Sequence, residues 1–160
     1  ERIREWGKAF PQLKLCVSNH GLRWAKRASE AQLPSQMLRP YQEIIMAPDS
    51  WKWRYEWDIQ ASHAKIKLLH GMGYSGVNGH RNAAIDNGCN TVIGHLHSSG
   101  GVAHVTTANQ KLWAMNVGCL IDVNAYVFNY GRESRSKPTL GIGAVIDGGI
   151  TPIFIPYESF

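Results

Sequence analysis

Histidines follow two short apolar runs between residues 65 and 97, and each run ends beside glycine. The first run leads into His70 and Gly71, and the second leads into His95 and His97. Short apolar runs that end at glycine are typical of buried strands. Ligands of open α/β sheets bind outside the carboxyl ends of the strands, so these histidines are predicted to converge on one crevice. Converging imidazoles are the ligands of a metal site.

The segment between these histidines predicts a helix. Ser75 or Asn78 is placed to cap its first turn, residues 83–85 give it apolar side chains, and Gly88 suits its carboxyl end. The sequence therefore predicts strand, helix and strand, with a polar ligand at the end of each strand.

The same order occurs upstream, where the apolar run 13–17 leads into Asn19 and His20 and then into a helical segment. Asn19 offers a carboxamide oxygen, a neutral ligand that suits Mn, Fe or Zn beside imidazole. His20 projects differently from Asn19 and is placed to donate a proton to a departing alkoxide. Because alternate residues of an extended segment project to the same side, His95 and His97 can serve two neighbouring metal ions.

Composition sets limits on the fold and on the partners. The 160 residues and 17.9 kDa fit one domain, residues 1–160, with 44% hydrophobic residues for its core. No apolar run approaches the roughly 20 residues that cross a bilayer, which predicts a cytoplasmic protein without a membrane partner. The three cysteines are expected to be buried free thiols, not disulfides or metal ligands. The net charge of +5 favours anionic partners such as phosphate esters or nucleic acid.

The remaining elements complete a mixed α/β chain. Residues 2–10 predict the end of a helix, and residues 21–45 predict two or three short helices separated by prolines. Residues 104–117 and 140–155 each predict a hairpin, so the carboxyl half is expected to be antiparallel β.

Residues 51–57 alternate aromatic and charged side chains with the two-residue period of a strand, which places all the aromatic rings on one face. We favour a half-buried strand whose aromatic face packs on a helix, because such strands normally alternate in this way. The alternative is a platform on which nucleic-acid bases stack, with Lys52, Arg54 and the basic loop at residues 131–139 near phosphates.

Histidines outside these motifs carry no chemical prediction. His63, His80 and His104 are expected to be polar residues with satisfied hydrogen bonds.

Three short motifs together resemble the last three motifs of the calcineurin-like metallophosphoesterase superfamily. In that family the motifs are Gly-Asn-His-Asp/Glu, a histidine, and Gly-His-x-His. The resemblance covers about residues 13 to 120. The matching segments are residues 18–21, 70–71 and 94–97, and a later Asn-x-Gly at residues 116–118.

The resemblance implies a role for each matching residue. Asn19, His70 and His95 match ligands of the second metal, His97 matches a ligand of the first, and His20 matches the histidine that assists the leaving group. The implied enzyme is a dinuclear phosphoesterase that hydrolyses phosphate mono- or diesters by in-line attack of a metal-bound hydroxide, with Mn, Fe, Zn or Ni. The implied fold is a four-layer α/β/β/α sandwich. The alternative is a nucleic-acid-binding or catalytically inactive relative of the same fold.

The chain also departs from the family pattern. Ser18 replaces a glycine, and Gly21 replaces an acidic residue that would orient His20. The family's first two motifs, Asp-x-His and Gly-Asp, are absent, so the chain is expected to lack amino-terminal strands and to hold one metal ion or none. Unpaired sheet edges would follow, and with them self-association or association with the missing half.

Overall fold

The computed structural model describes residues 2–122 and 137–157 and divides the chain into two compact units, Glu1–Trp57 and Asp58–Phe160. The length of the chain favoured a single domain. The predicted basic loop at residues 131–139 lies mostly outside the described residues. Within the described ranges, the helices are too short or too polar to cross a membrane.

The first unit is mainly helical, as the prolines and apolar spacing predicted. Its two strands pair in parallel, with Leu15 opposite Trp53. The elements are α1 (Arg2–Ala9), β1 (Lys14–Cys16), α2 (Asn19–Glu30), a 3₁₀ turn (Ser35–Met37), α3 (Tyr41–Ile44) and β2 (Lys52–Arg54).

The aromatic segment is not the single strand that alternation predicted. It breaks at Tyr55, between β2 and β3 (Glu56–Gln60), and Tyr55 is 63% exposed, so the four rings do not share one face. Trp51 and Trp57 are buried, and their indole nitrogens donate hydrogen bonds to the carbonyls of Phe10 and Leu15. These contacts favour the structural interpretation of both tryptophans over a base-stacking platform.

The second unit is built on a mixed sheet with strand order β3-β4-β5-β7-β6. Strands β4 and β5 pair in parallel and are joined by helix α4, which is the predicted strand, helix and strand. A separate hairpin, β8 with β9, follows. The bounds are β4 (Lys65–Leu69), α4 (Gly79–Asn87), β5 (Asn90–Ile93), β6 (Gly101–Thr106), β7 (Lys111–Asn116), β8 (Gly141–Ile146) and β9 (Thr151–Pro156).

Helix α4 begins and ends near the predicted residues. It starts after Asn78, whose side chain makes no capping hydrogen bond, and it ends at Gly88 with φ +59. A glycine suits that left-handed conformation because it has no Cβ to clash with the backbone.

The carboxyl half is only partly antiparallel. Both predicted hairpins are present, β6 with β7 and β8 with β9. However, β7 also pairs in parallel with β5, which places Asn116 opposite Ile93. The prediction failed here because a hairpin signal reports only the pairing of strands that are adjacent in sequence.

The core of the second unit lies under the β8–β9 hairpin. Ile66, Trp113 and Met115 form its buried cluster, and the Trp113 indole donates to the Gly149 carbonyl. Leu112, Ala114 and Asn116 of β7 are buried as well, and α4 packs against β5, β6 and β7. Coverage on both faces explains why β7 is almost continuously apolar. The observed class is therefore mixed α/β, as predicted.

Candidate functional site

Two of the predicted ligands meet at the carboxyl ends of neighbouring parallel strands. His70 is the first residue after β4, and His95 follows β5 by two residues. The Gly94 amide donates to the His70 carbonyl at 3.2 Å, which continues the strand pairing beyond both strands. The parallel register therefore brings the two histidines together, as the sequence predicted.

The two imidazole rings are in direct contact. Nδ1 of His95 lies 3.1 Å from Nε2 of His70, the ring centroids are 4.9 Å apart, and the planes are inclined by 67°. In neutral rings one of these nitrogens donates and the other accepts. The pair is half-buried, so its hydrogen bond is only partly exposed to water.

This separation also suits a shared metal ion. Two nitrogens bound at 2.0–2.1 Å lie about 2.8 to 3.4 Å apart when the angle at the metal is between octahedral and tetrahedral. The observed 3.1 Å falls inside that interval. Binding would require both facing nitrogens to present lone pairs, so the donating ring would move its proton to its other nitrogen.

Gly71 allows this approach. Its φ is +103, and a Cβ at this position would lie 3.1 Å from the Cβ atoms of both His95 and Ile93. A side chain here would therefore strain the backbone and push on His95.

His97 belongs to the same loop, and its backbone is fixed. Its carbonyl accepts a hydrogen bond from the Thr139 amide at 2.7 Å. Across the described ranges, no three residues among the histidines, cysteines, aspartates and glutamates are grouped closely enough to hold a metal ion. The structure thus brings together His70 and His95, whereas His97 completes no such group.

Asn19 and His20 are the first two residues of α2 and belong to the first unit. Ser18 caps this helix with φ −104, and its hydroxyl accepts a hydrogen bond from the Gly21 amide at 3.0 Å. Serine adopts this negative φ without backbone strain. Gly21 is buried, and a Cβ there would lie 3.4 Å from the ring of Tyr41.

Asn116 has a larger structural role than its place in an Asn-x-Gly motif indicated. It is fully buried at the end of β7 and donates hydrogen bonds to Leu96 and Ser99, which belong to the loop that carries His95 and His97. The motif marked this position, but the sequence did not show which loop its carboxamide would reach.

The other histidines lie in different environments. His63 and His104 are exposed, and the His63 amide donates to the Gly148 carbonyl. His80 does not fit the expected satisfied polar residue, because its Nδ1 is buried and has no hydrogen-bond partner among the described residues. Burial lowers the pKa of His80 below its ordinary value.

The cysteines are free thiols, as predicted, but the predicted burial is wrong for two of the three. Cys89 is buried, whereas Cys16 and Cys119 are half-buried. Burial raises the pKa of Cys119 above its ordinary value, against a smaller lowering by a backbone hydrogen bond from Ile121. A raised pKa keeps the thiol protonated near neutral pH, which disfavours it as a metal ligand.

Comparisons of the chain with models of known protein families, with curated proteins and with solved structures found no match. The resemblance to the metallophosphoesterases therefore rests on the sequence motifs alone.

Proposed function

We propose that this protein is a metal-dependent phosphoesterase of the calcineurin-like type, which hydrolyses phosphate mono- or diesters. The observation that carries the proposal is the 3.1 Å contact between His70 and His95 at the ends of β4 and β5. Three sequence motifs occur in the family's order, and the mixed α/β class of the second unit is compatible with the proposed four-layer architecture.

His70 and His95 would hold a divalent ion through their facing nitrogens. The roles of Asn19 and His97 as further ligands rest on the sequence resemblance. When bound, Mn, Fe, Zn or Ni in such a site activates water and stabilises charge on the phosphoryl oxygens. We propose one ion for the ligands that this chain provides.

His20 would protonate the oxygen of the leaving group. It lies at the start of α2, where the first-turn amides and the helix dipole favour an anion. Its side chain is exposed, as a group that exchanges protons with substrate requires. Gly21 provides no carboxylate to orient it, so we expect proton transfer to be slower than in an enzyme with the acidic residue.

A catalytically inactive relative is the second candidate, because His70 and His95 are not joined by a third grouped His, Cys, Asp or Glu within the described part of the chain. A nucleic-acid-binding module is less favoured, since Trp51 and Trp57 are buried and hydrogen-bonded.

Hydrolysis of nitrophenyl phosphate and bis-nitrophenyl phosphate, measured with each of the metals in turn, tests the proposal. We expect metal-stimulated release of nitrophenol that His95→Ala and His20→Ala abolish and that His104→Ala, an exposed histidine on β6, retains. Metal binding without hydrolysis would favour the inactive relative. If the chain neither binds metal nor hydrolyses these esters, both the enzyme and the inactive metal-binding relative are contradicted.

A further inference from the structure

We infer that Asn116 is a positioning residue that fixes residues 95–99, here named the histidine loop, and thereby holds His95 against His70. The inference rests on the proposed function only in its consequence for metal binding, because the loop and its anchor are features of the fold.

The Asn116 side chain contacts the histidine loop at two residues, Leu96 and Ser99. Its Nδ2 lies 2.9 Å from the Leu96 carbonyl, 2.6 Å from the Ser99 carbonyl and 2.9 Å from the Ser99 hydroxyl. The Asn116 amide nitrogen carries two N–H groups and has three acceptors, so one N–H group is shared between two acceptors. Its Oδ1 accepts from the Gly118 amide at 3.4 Å.

The partners of this carboxamide determine which of its two atoms is the nitrogen. If its oxygen and nitrogen were exchanged, the oxygen would face two backbone carbonyls, which offer no proton. Because Asn116 is fully buried, water cannot replace a lost partner, so the loop carbonyls are tied to the end of β7.

The loop is held from a second side as well. The Thr139 amide donates to the His97 carbonyl at 2.7 Å, and Gly118 with φ +66 lets the chain pass Thr139 closely. A Cβ at Gly118 would lie 2.5 Å from the Thr139 carbonyl. The Leu96, His97 and Ser99 carbonyls all accept hydrogen bonds from outside the loop, which restrains the backbone that carries His95.

Asn116→Asp tests the inference because it keeps the shape of the side chain and replaces the donating nitrogen with an oxygen that faces carbonyls. Thr91→Val is the matched control. Thr91 is also fully buried, and the variant loses the one hydrogen bond from its hydroxyl to the Cys89 carbonyl, which lies at the far end of β5 from the loop.

Two measurements on the 160-residue chain distinguish positioning of the histidine loop from a general contribution to stability. The first is hydrogen exchange of the Gly94 amide, which bonds the His70 carbonyl, compared at conditions of equal global stability. We expect Asn116→Asp to accelerate it at least about tenfold relative to Thr91→Val. The second is zinc affinity by calorimetry, which should fall at least about tenfold in Asn116→Asp and stay within about twofold of wild type in Thr91→Val.

Equal exchange rates in the two variants would overturn the inference. If the wild-type chain binds no zinc, the metal proposal fails while the exchange measurement still decides the role of Asn116. If Asn116→Asp does not fold, Asn116→Ser, whose hydroxyl is too short to reach the loop, takes its place under the same criteria.

Discussion

Replacing Gly71 by alanine should disturb His95 without touching any imidazole. Gly71 has φ +103, a conformation that costs a residue with a Cβ about 1–3 kcal/mol. Its new Cβ would also lie 3.1 Å from the Cβ atoms of Ile93 and His95, which must then retreat by a few tenths of an ångström. Overpacking of that kind costs about 1–3 kcal/mol more.

Gly73→Ala isolates the second effect. Gly73 has a similar φ of +93, and a Cβ there would meet nothing within 4 Å. Both substitutions change the unfolded chain equally, so that contribution cancels in the comparison. The difference between the two variants therefore measures the pressure on Ile93 and His95.

Urea denaturation followed by tryptophan fluorescence measures the free energies of unfolding. We expect Gly71→Ala to be about 1–3 kcal/mol less stable than Gly73→Ala. Its zinc affinity should fall as well, at least about tenfold, because metal sites tolerate ligand displacements of only about 0.2 Å. Equal stability and equal zinc affinity in the two variants would show that Gly71 does not set the position of His95.

Two further predictions concern other parts of the chain. Because burial lowers the pKa of His80, the unfolded chain should take up this proton first as the pH falls below about 6.5, so folding stability should decrease there. His80→Gln should flatten that part of the plot of unfolding free energy against pH, and His104→Gln should not. A plot unchanged by His80→Gln would contradict the assignment of the stability loss to His80. Trp57→Phe removes the hydrogen bond to the Leu15 carbonyl and should cost about 1–3 kcal/mol of unfolding free energy, measured by urea denaturation. Unchanged stability, together with loss of salt-sensitive binding to single-stranded nucleic acid, would instead support the base-stacking platform.

The sequence predicted the parts of the fold that depend on local patterns. The apolar runs ending at His70 and His95 are strands, their parallel pairing follows from the helix between them, and Gly88 ends that helix. These predictions succeed because strand length, helix capping and glycine conformation are properties of short segments.

The remainder depends on contacts between distant segments. Alternation could not show that the aromatic strand breaks at Tyr55, and hairpin signals could not show that β7 also pairs with β5. In the site, the Asn-x-Gly motif marked Asn116, but its contacts with Leu96 and Ser99 arise only when β7 lies beside β5. The roles of Asn19 and His20 are proposals based on the resemblance.

The central claim is that His70 and His95 together bind a divalent metal ion, and calorimetric titration with zinc tests it most directly. We predict saturable binding to the wild-type chain, at least about tenfold weaker in His70→Ala and in His95→Ala and unchanged in His104→Ala, because only the first two remove a facing ring nitrogen. No binding to the wild-type chain, or the same affinity in all three variants, would contradict the claim.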